Sequence, residues 1–268
     1  MNQKVLNGPR LVFLDIETAP ETAYIWKRFK ESVGEAQVLH HGYLLCVAWE
    51  WLNENKIQSC GLYGKKAWKA GRQDDDREVV EAAWNVLNEA DIVCGQNIRQ
   101  FDVATLNARF IYYNMPPPKP YKIVDTLEVM RKRVRLPSHS LETASHYFGI
   151  DYKDKQTFSL WRDCLKGEKS AWDNLIKYCC NDVHVLKQLY LRLLPWIETH
   201  PNVGLWMENN KQLTCPKCGS TKLQRRGFAT TLVNKYARFQ CTNCGGWTHS
   251  RLAEKCYKDH IAIHDVVS

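Results

Sequence analysis

Residues 11–19 read LVFLDIETA, and this stretch decides the fold. Leu11 to Ile16 is a nearly unbroken apolar run, the pattern of a central strand buried on both faces, and it is the expected first strand. Asp15 and Glu17 close it at i and i+2, so strand alternation sends both carboxylates to one face. Two like charges beside a core repel, and a hard divalent cation such as Mg²⁺ or Mn²⁺ is the usual remedy. A strand end in solvent is the plain alternative, and the pair alone does not choose.

Working outward, Tyr43 to Leu52 and Ile57 to Tyr63 read as strands joined by the polar turn Asn53, Glu54, Asn55. Arg77 to Asn88 repeats apolar residues at helical spacing (Val79, Val80, Ala83, Trp84, Leu87) and leads into Ile92 to Cys94, another buried strand. Val103 to Tyr113 is helical and stops before Met115 and three prolines, Pro116 to Pro118. Tyr121 to Val124 supplies a fifth strand. Leu141 to Phe148, ended by Gly149, and Ala171 to Leu194, with Ser170 as N-cap, are helices. The expected fold is α/β, a mixed five-stranded sheet flanked by helices.

Two further acidic positions fall beside this sheet. Asp102 lies near a helix N-terminus, where a carboxylate suits the dipole and serves equally as a cap. Tyr178 and Asp182 stand at i and i+4 on the last long helix and share a face, as a functional pair or as a rim aromatic beside a surface acid.

Four segments in order, LVFLDIETA, the N-x-x-x-F-D of Asn97 to Asp102, Asp125-Thr126 followed by PSHSLETASHYFGI, and the Y-x-x-x-D of YCCND, resemble the motifs of DnaQ-like (DEDD) 3′-to-5′ exonucleases. The resemblance covers about Leu11 to Leu194, and its tyrosine form is that of the DEDDy branch, which includes polymerase proofreading domains. It implies an RNase H-like fold in which Asp15, Glu17, Asp102 and Asp182 hold two Mg²⁺ or Mn²⁺ ions about 4 Å apart. It also implies that Tyr178 orients the attacking water, because a phenol with a pKa near 10 is a poor base. Nucleoside 5′-monophosphates would be released from single-stranded DNA or frayed 3′ ends. Glu17, Thr18, Asn97 and Phe101 would meet the substrate, and the cluster Arg131, Lys132, Arg133, Arg135 either grips phosphates or is a solvated face. Gln96 stands where many relatives have histidine, and Lys177 where the histidine branch has its base; the second departure favours the tyrosine branch. An exoribonuclease of the same fold, or an inactive nucleic-acid-binding scaffold, are the competing readings.

Eleven cysteines do not form a disulfide framework, because four fall in two C-x-x-C pairs, Cys215/Cys218 and Cys241/Cys244, each followed by glycine. Four thiolates suit one structural Zn²⁺, and the segment resembles the zinc ribbons of nucleic-acid enzymes over about Leu213 to Trp247. Lys222, Arg225, Arg226, Phe228, Lys235, Tyr236, Arg238 and Phe239 interleave charge and aromatic rings, suited to stacking bases and neutralising phosphates. Docking to a replication or repair protein is the alternative, with Phe228, Phe239 and Trp247 as a small core. Cys256, His260 and His264 have ligand-like spacing beyond the four cysteines. From Lys211 onward ten Lys/Arg face three Asp/Glu, so most of the net charge of +8 sits in the tail.

The expected organisation is a nuclease domain over 1–200, a linker over 201–212 with a boundary near Asn209, and a ribbon with its tail over 213–268. No run of 18 or so apolar residues could span a bilayer, and the opening lacks a signal-peptide pattern. With scattered free cysteines, this points to a reducing, intracellular setting, the cytoplasm of a bacterial or phage-infected cell.

Overall fold

The computed structural model describes residues 8–27, 29, 32–150, 156–207, 212–232 and 234–254. Asn209, Cys256, His260 and His264 lie outside the described residues. The chain forms two compact units, Arg10–Leu191 and a second that takes in residues 192–254.

The first unit begins with β1 (Leu11–Thr18) and a small ribbon of β2 (Thr22–Ala23) and β3 (Val38–His40). There follow β4 (Leu44–Trp51), β5 (Ile57–Gly61), α1 (Lys66–Lys69), α2 (Arg77–Glu89), β6 (Ile92–Gly95), α3 (Asp102–Tyr112) and β7 (Lys122–Asp125). The helices α4 (Thr126–Arg133), α5 (Leu141–Phe148), α6 (Ser159–Leu165) and α7 (Lys169–Leu193) come last. The sheet order is β5-β4-β1-β6-β7, with β1 antiparallel to β4 and parallel to β6. This is the expected α/β fold with a mixed five-stranded sheet.

β1 is central because its residues 11–14 are all buried, as are Leu44 to Ala48 on β4 and all of β6. On one face α7 packs through a helical stripe. Cys179 reaches Asp15, Lys187 pairs with Glu50 at 2.6 Å, and Tyr190 meets Phe13 edge-on with ring centroids 5.2 Å apart. The start of α7 is anchored by Trp172, which stacks on Tyr63 and meets Trp68 edge-on, while its ring N–H donates to the Cys164 carbonyl at 2.8 Å. α2 and α3 are tied to β4 by Asp76, which is fully buried, accepts from Leu44 N and the Tyr113 hydroxyl at 2.7 Å each, and pairs with Arg109.

Three local expectations change. α7 starts at Lys169, so Ser170 lies inside the helix, and the Glu168 carbonyl accepts the first amides, from Ala171 and Trp172. Residues 126–133 form α4, because Asp125 caps them by accepting from Leu127 N and Glu128 N. α6 is likewise an added helix. By contrast Gly149 ends α5 in the left-handed conformation, φ 62°, which glycine adopts without strain.

The second unit carries two 3₁₀ turns, Leu194–Trp196 and Val203–Trp206, and a three-stranded antiparallel sheet. Its strands are β8 (Leu223–Thr230), β9 (Lys235–Cys241) and β10 (Trp247–His249), with β9 in the middle. None of the described helices is long and apolar enough to cross a membrane.

Candidate active site and metal centres

The site is built where β1 outruns its parallel neighbour. β6 pairs with Leu11, Val12 and Phe13 only, so the later amides of β1 on that side need other partners. The chain leaving β6 turns sharply: Asn97 takes a left-handed φ of 59°, and a Cβ on Gly95 would lie 2.6 Å from the Ile98 side chain. Asp125 stitches this turn by accepting from Asn97 N at 3.0 Å and Arg99 N at 3.3 Å. Gln96 ties it further, donating to the His139 carbonyl at 2.7 Å and accepting from the Thr126 hydroxyl. The glutamine at this position thus braces the turn.

The turn delivers Asp102 to β1. Phe101, 43% exposed, occupies the N-cap, and Asp102 is the first helical residue. Its carboxylate does not cap α3; it is buried and accepts from Ile16 N at 3.2 Å. From the other side α7 brings Asp182, so that Asp15, Glu17 and Asp182 each offer a carboxylate oxygen within 4.8 Å of the others.

These groups disturb one another in the way a cation site must. Burial first, then the charges of Asp102, Glu17 and Asp182, push Asp15 well above the ordinary carboxylate range, against a Cys179 thiol that donates to its Oδ2 at 3.4 Å. Burial and then Asp182 raise Glu17 to about 8, although the Trp161 ring N–H donates to it. Burial raises Asp102 to about 7, opposed by its own amide and that of Ile16. Oxygen donors, burial and mutual repulsion fit a hard divalent cation.

Tyr178 sits one turn before Asp182 on α7, half-buried, its ring edge-on to Trp161 at 6.1 Å. Trp161 therefore touches both Glu17 and Tyr178. Sequence reading missed it, because a lone tryptophan on a seven-residue helix looks like any core aromatic. It missed Cys179 for the same reason: the residue lies inside the YCCND motif but has no distinguishing pattern of its own. Thr18 is half-buried at the end of β1, where a register shift follows Glu17. Arg131 and Arg133 are exposed on the last turn of α4, a placement that also suits the helix dipole. Asp15, Glu17, Asp102 and Asp182 are thus brought to one place with Tyr178 alongside, whereas the arginines stand on an outer helix end.

In the second unit, Cys215, Cys218, Cys241 and Cys244 place their sulfurs within 4.8 Å of one another. Cys215 and Cys244 are 3.6 Å apart, Cys218 and Cys241 3.7 Å. Four thiolates at about 2.3 Å from a common centre have tetrahedral edges of about 3.8 Å, so the spacing fits such a metal. The thiols share protons as a set: hydrogen bonding from Cys215, with the Ser220 amide and Asn243, brings Cys218 down to about 4. Cys215, by its hydrogen bond with Cys218 and then burial, and Cys244, by burial, are pushed up in turn, opposed by the backbone N–H groups of Lys217, Cys218 and Gly246. The lowered Cys218 and the amides aimed at its neighbours suit a positive ion.

Phe228 and Trp247 are not a core. They are 37% and 49% exposed, Phe239 is half-buried, and the buried apolar positions among the described residues of 212–254 are Cys215, Ala237 and Cys241. A single three-stranded sheet is too thin to cover large rings.

The comparisons with known proteins agree with this architecture. A family model described as RNase_H superfamily matches residues 35–194. No curated protein is similar enough to match. Among solved structures, the family B DNA polymerase from the hyperthermophilic archaeon Pyrobaculum calidifontis is similar with a TM-score of 0.51 and 16% identity. The match covers 70% of this chain and 25% of the polymerase, so the likeness is one of fold over a quarter of that enzyme. With a family model spanning more than half of its length and the mixed sheet in place, the chain belongs to the RNase H superfamily.

Proposed function

We propose that this protein is a metal-dependent 3′-to-5′ exonuclease of the DEDDy type that trims single-stranded DNA to nucleoside 5′-monophosphates. One observation carries the reading: three carboxylates from β1 and α7 converge within 4.8 Å, Asp102 is fixed beside them on Ile16 N, and Tyr178 stands one turn from Asp182. Asp15, Glu17, Asp102 and Asp182 would hold two Mg²⁺ or Mn²⁺ ions. When bound, these would supply Lewis-acid charge at the scissile phosphate and a nucleophile at neutral pH.

The protein's own groups do the positioning. Cys179 holds Asp15 by its S–H, Trp161 holds Glu17 by its ring N–H, and the Ile16 amide holds Asp102. Tyr178 hydrogen-bonds and orients the attacking water, and Phe101, exposed at the mouth of the β6–α3 turn, meets a terminal base. Thr18 and Asn97 complete the substrate side; Arg131 and Arg133 attract the incoming strand. The four cysteines hold one structural Zn²⁺, which makes residues 213–254 a zinc ribbon. DNA is put before RNA by the sequence resemblance to proofreading domains.

The test uses 5′-labelled DNA and RNA oligonucleotides with Mg²⁺ or Mn²⁺. The wild type should shorten DNA stepwise from the 3′ end. Asp15→Asn, which keeps the shape and removes the charge, should lower the rate at least about a thousandfold, roughly 4 kcal/mol of barrier. Absence of metal-dependent shortening on either polymer would refute the enzyme and leave a binding scaffold; shortening of RNA alone would convert the assignment to an exoribonuclease.

A further inference from the structure

The face of the ribbon sheet that holds Trp247 carries a row of side chains whose order is set by strand register. Arg238 pairs across with His249, and Gln240 with Trp247, so these four share a face, joined by Tyr236 two residues before Arg238. The contacts run diagonally in two pairs, set side by side by the Arg238–His249 register. The Tyr236 and His249 rings are 5.2 Å apart, and the Arg238 guanidinium lies 5.2 Å from the centre of the Trp247 ring. Arg238 is held there by its Nε, which donates to the Arg226 carbonyl at 2.9 Å. His249 Nδ1 is 2.8 Å from the Ser250 carbonyl, which fixes that ring too.

The opposite face differs. There Phe228 lies beneath Lys235, whose Nζ is 3.8 Å from the ring centre, and Arg225. Glu254 pairs with Arg225 at 2.6 Å and so neutralises its charge. The buried Ala237 and Cys241 also belong to that face. One side of the sheet is thus turned to the cysteines and partly neutralised; the other is aromatic and cationic. Across residues 212–254, seven Lys/Arg face the single Glu254, which favours a polyanion over an ordinary protein surface.

We infer that the Tyr236–His249–Arg238–Trp247 row is a stacking platform for single-stranded nucleic acid. Tyr236 and Trp247 would receive bases, and Arg238 between them a phosphate. The π-faces accept any base, so binding is sequence-tolerant, and duplex, whose bases are stacked away, is refused. The platform belongs to the ribbon and holds whether or not the carboxylate site cleaves.

The test is fluorescence anisotropy with a labelled oligothymidylate, using the full chain carrying Asp15→Asn so that the strand persists. Trp247→Ala and Tyr236→Ala should each weaken binding roughly 5- to 150-fold, the range of one lost base stack. Trp247→Phe and Tyr236→Phe should keep most of the affinity, which separates stacking from misfolding, and zinc released per chain should be unchanged in all four. Arg238→Gln should flatten the salt dependence by roughly 0.7 in slope, while the aromatic variants leave the slope as it is. Phe228→Ala, on the other face, should bind nearly as the parent does. Unchanged affinity in the Tyr236→Ala/Trp247→Ala double variant, an equal loss in Phe228→Ala, or equal binding of duplex would each overturn the platform, the first leaving the face to a protein partner. A failure of the nuclease reading would show only in the cleavage assay with the unsubstituted chain.

Discussion

The carboxylate site and the cysteine site each collect four like ligands from distant points of their unit, but they stand in opposite relations to their folds. Asp15, Glu17, Asp102 and Asp182 are carried on elements that have other reasons to exist. β1 is locked between β4 and β6, and α7 is fastened by Trp172, Lys187 and Tyr190. The fold forces the charges together, and the pKa values of Asp15, Glu17 and Asp102, raised by burial and neighbouring carboxylates, record the cost. Among the described residues of the ribbon the buried apolar positions are few, and two of the three are themselves cysteines. There the ligands are the core. On the proposed reading a metal would complete the first site but hold up the second.

That contrast is broken most directly by taking the metal from the ribbon. The binding energy of a structural four-thiolate site is of the order of 10 kcal/mol, more than a sheet this thin supplies otherwise. A zinc-selective chelator, or Cys241→Ser, should make residues 212–254 susceptible to limited proteolysis while residues 10–191 stay resistant. Mass analysis of the fragments checks it. Cleavage spread evenly over both units would show that the two sites do not differ in this way.

A second measurement concerns what holds α7, and through it Asp182 and Tyr178, against the sheet. Glu50 and Lys187 form a buried pair whose side chains are 6% and 10% exposed, and Glu50 Oε2 finds no hydrogen-bond partner among the described residues. Lys187→Met would strand a buried carboxylate and should cost about 3–5 kcal/mol in denaturant unfolding of this unit. Glu50→Leu together with Lys187→Met should recover most of that loss, because two apolar groups need no partner. A double variant as unstable as the single one would mean that the pair contributes more than its own mutual satisfaction.

The same asymmetry explains what could be read from the sequence. β1, β4 and β6 are legible because burial on both faces demands continuous apolar runs. Tyr178 and Asp182 are legible because a four-residue spacing on a helix fixes a common face. Gly149 is legible because a left-handed residue at a helix end calls for glycine. Trp161 was not, since its partners Glu17 and Tyr178 come from other elements and no local pattern announces them. α4 was not, because its start depends on Asp125, whose carboxylate also serves a loop 26 and 28 residues earlier. Of the alternative small core of Phe228, Phe239 and Trp247, only Phe239 is half-buried; the other two are exposed, because a three-stranded sheet has no second layer to cover them. Ser170 is not the cap the sequence suggests, because α7 begins one residue earlier, at Lys169.

The smallest expected effect tests whether the carboxylates really are held together at a cost. Glu17 titrates near 8 instead of 4.5, and Asp102 near 7 instead of 3.8. Between the ordinary and the raised values the folded chain keeps protons that the unfolded chain has released. Stability from these groups is therefore present below about pH 4 and falls as pH rises toward about 8. Divalent ions reverse the trend, since they compete with those protons and bind more tightly as pH rises. Without added Mg²⁺ or Mn²⁺, the melting temperature of the unit that holds the site should decline from about pH 5 to about pH 8. With either ion it should hold or rise, so the gap widens with pH. Asp182→Asn should flatten the metal-free decline, because Asp182 is the main charge acting on Glu17. Parallel melting curves with and without metal would mean that the four carboxylates do not share an ion, and that the two sites of this protein resemble each other less than their ligand counts suggest.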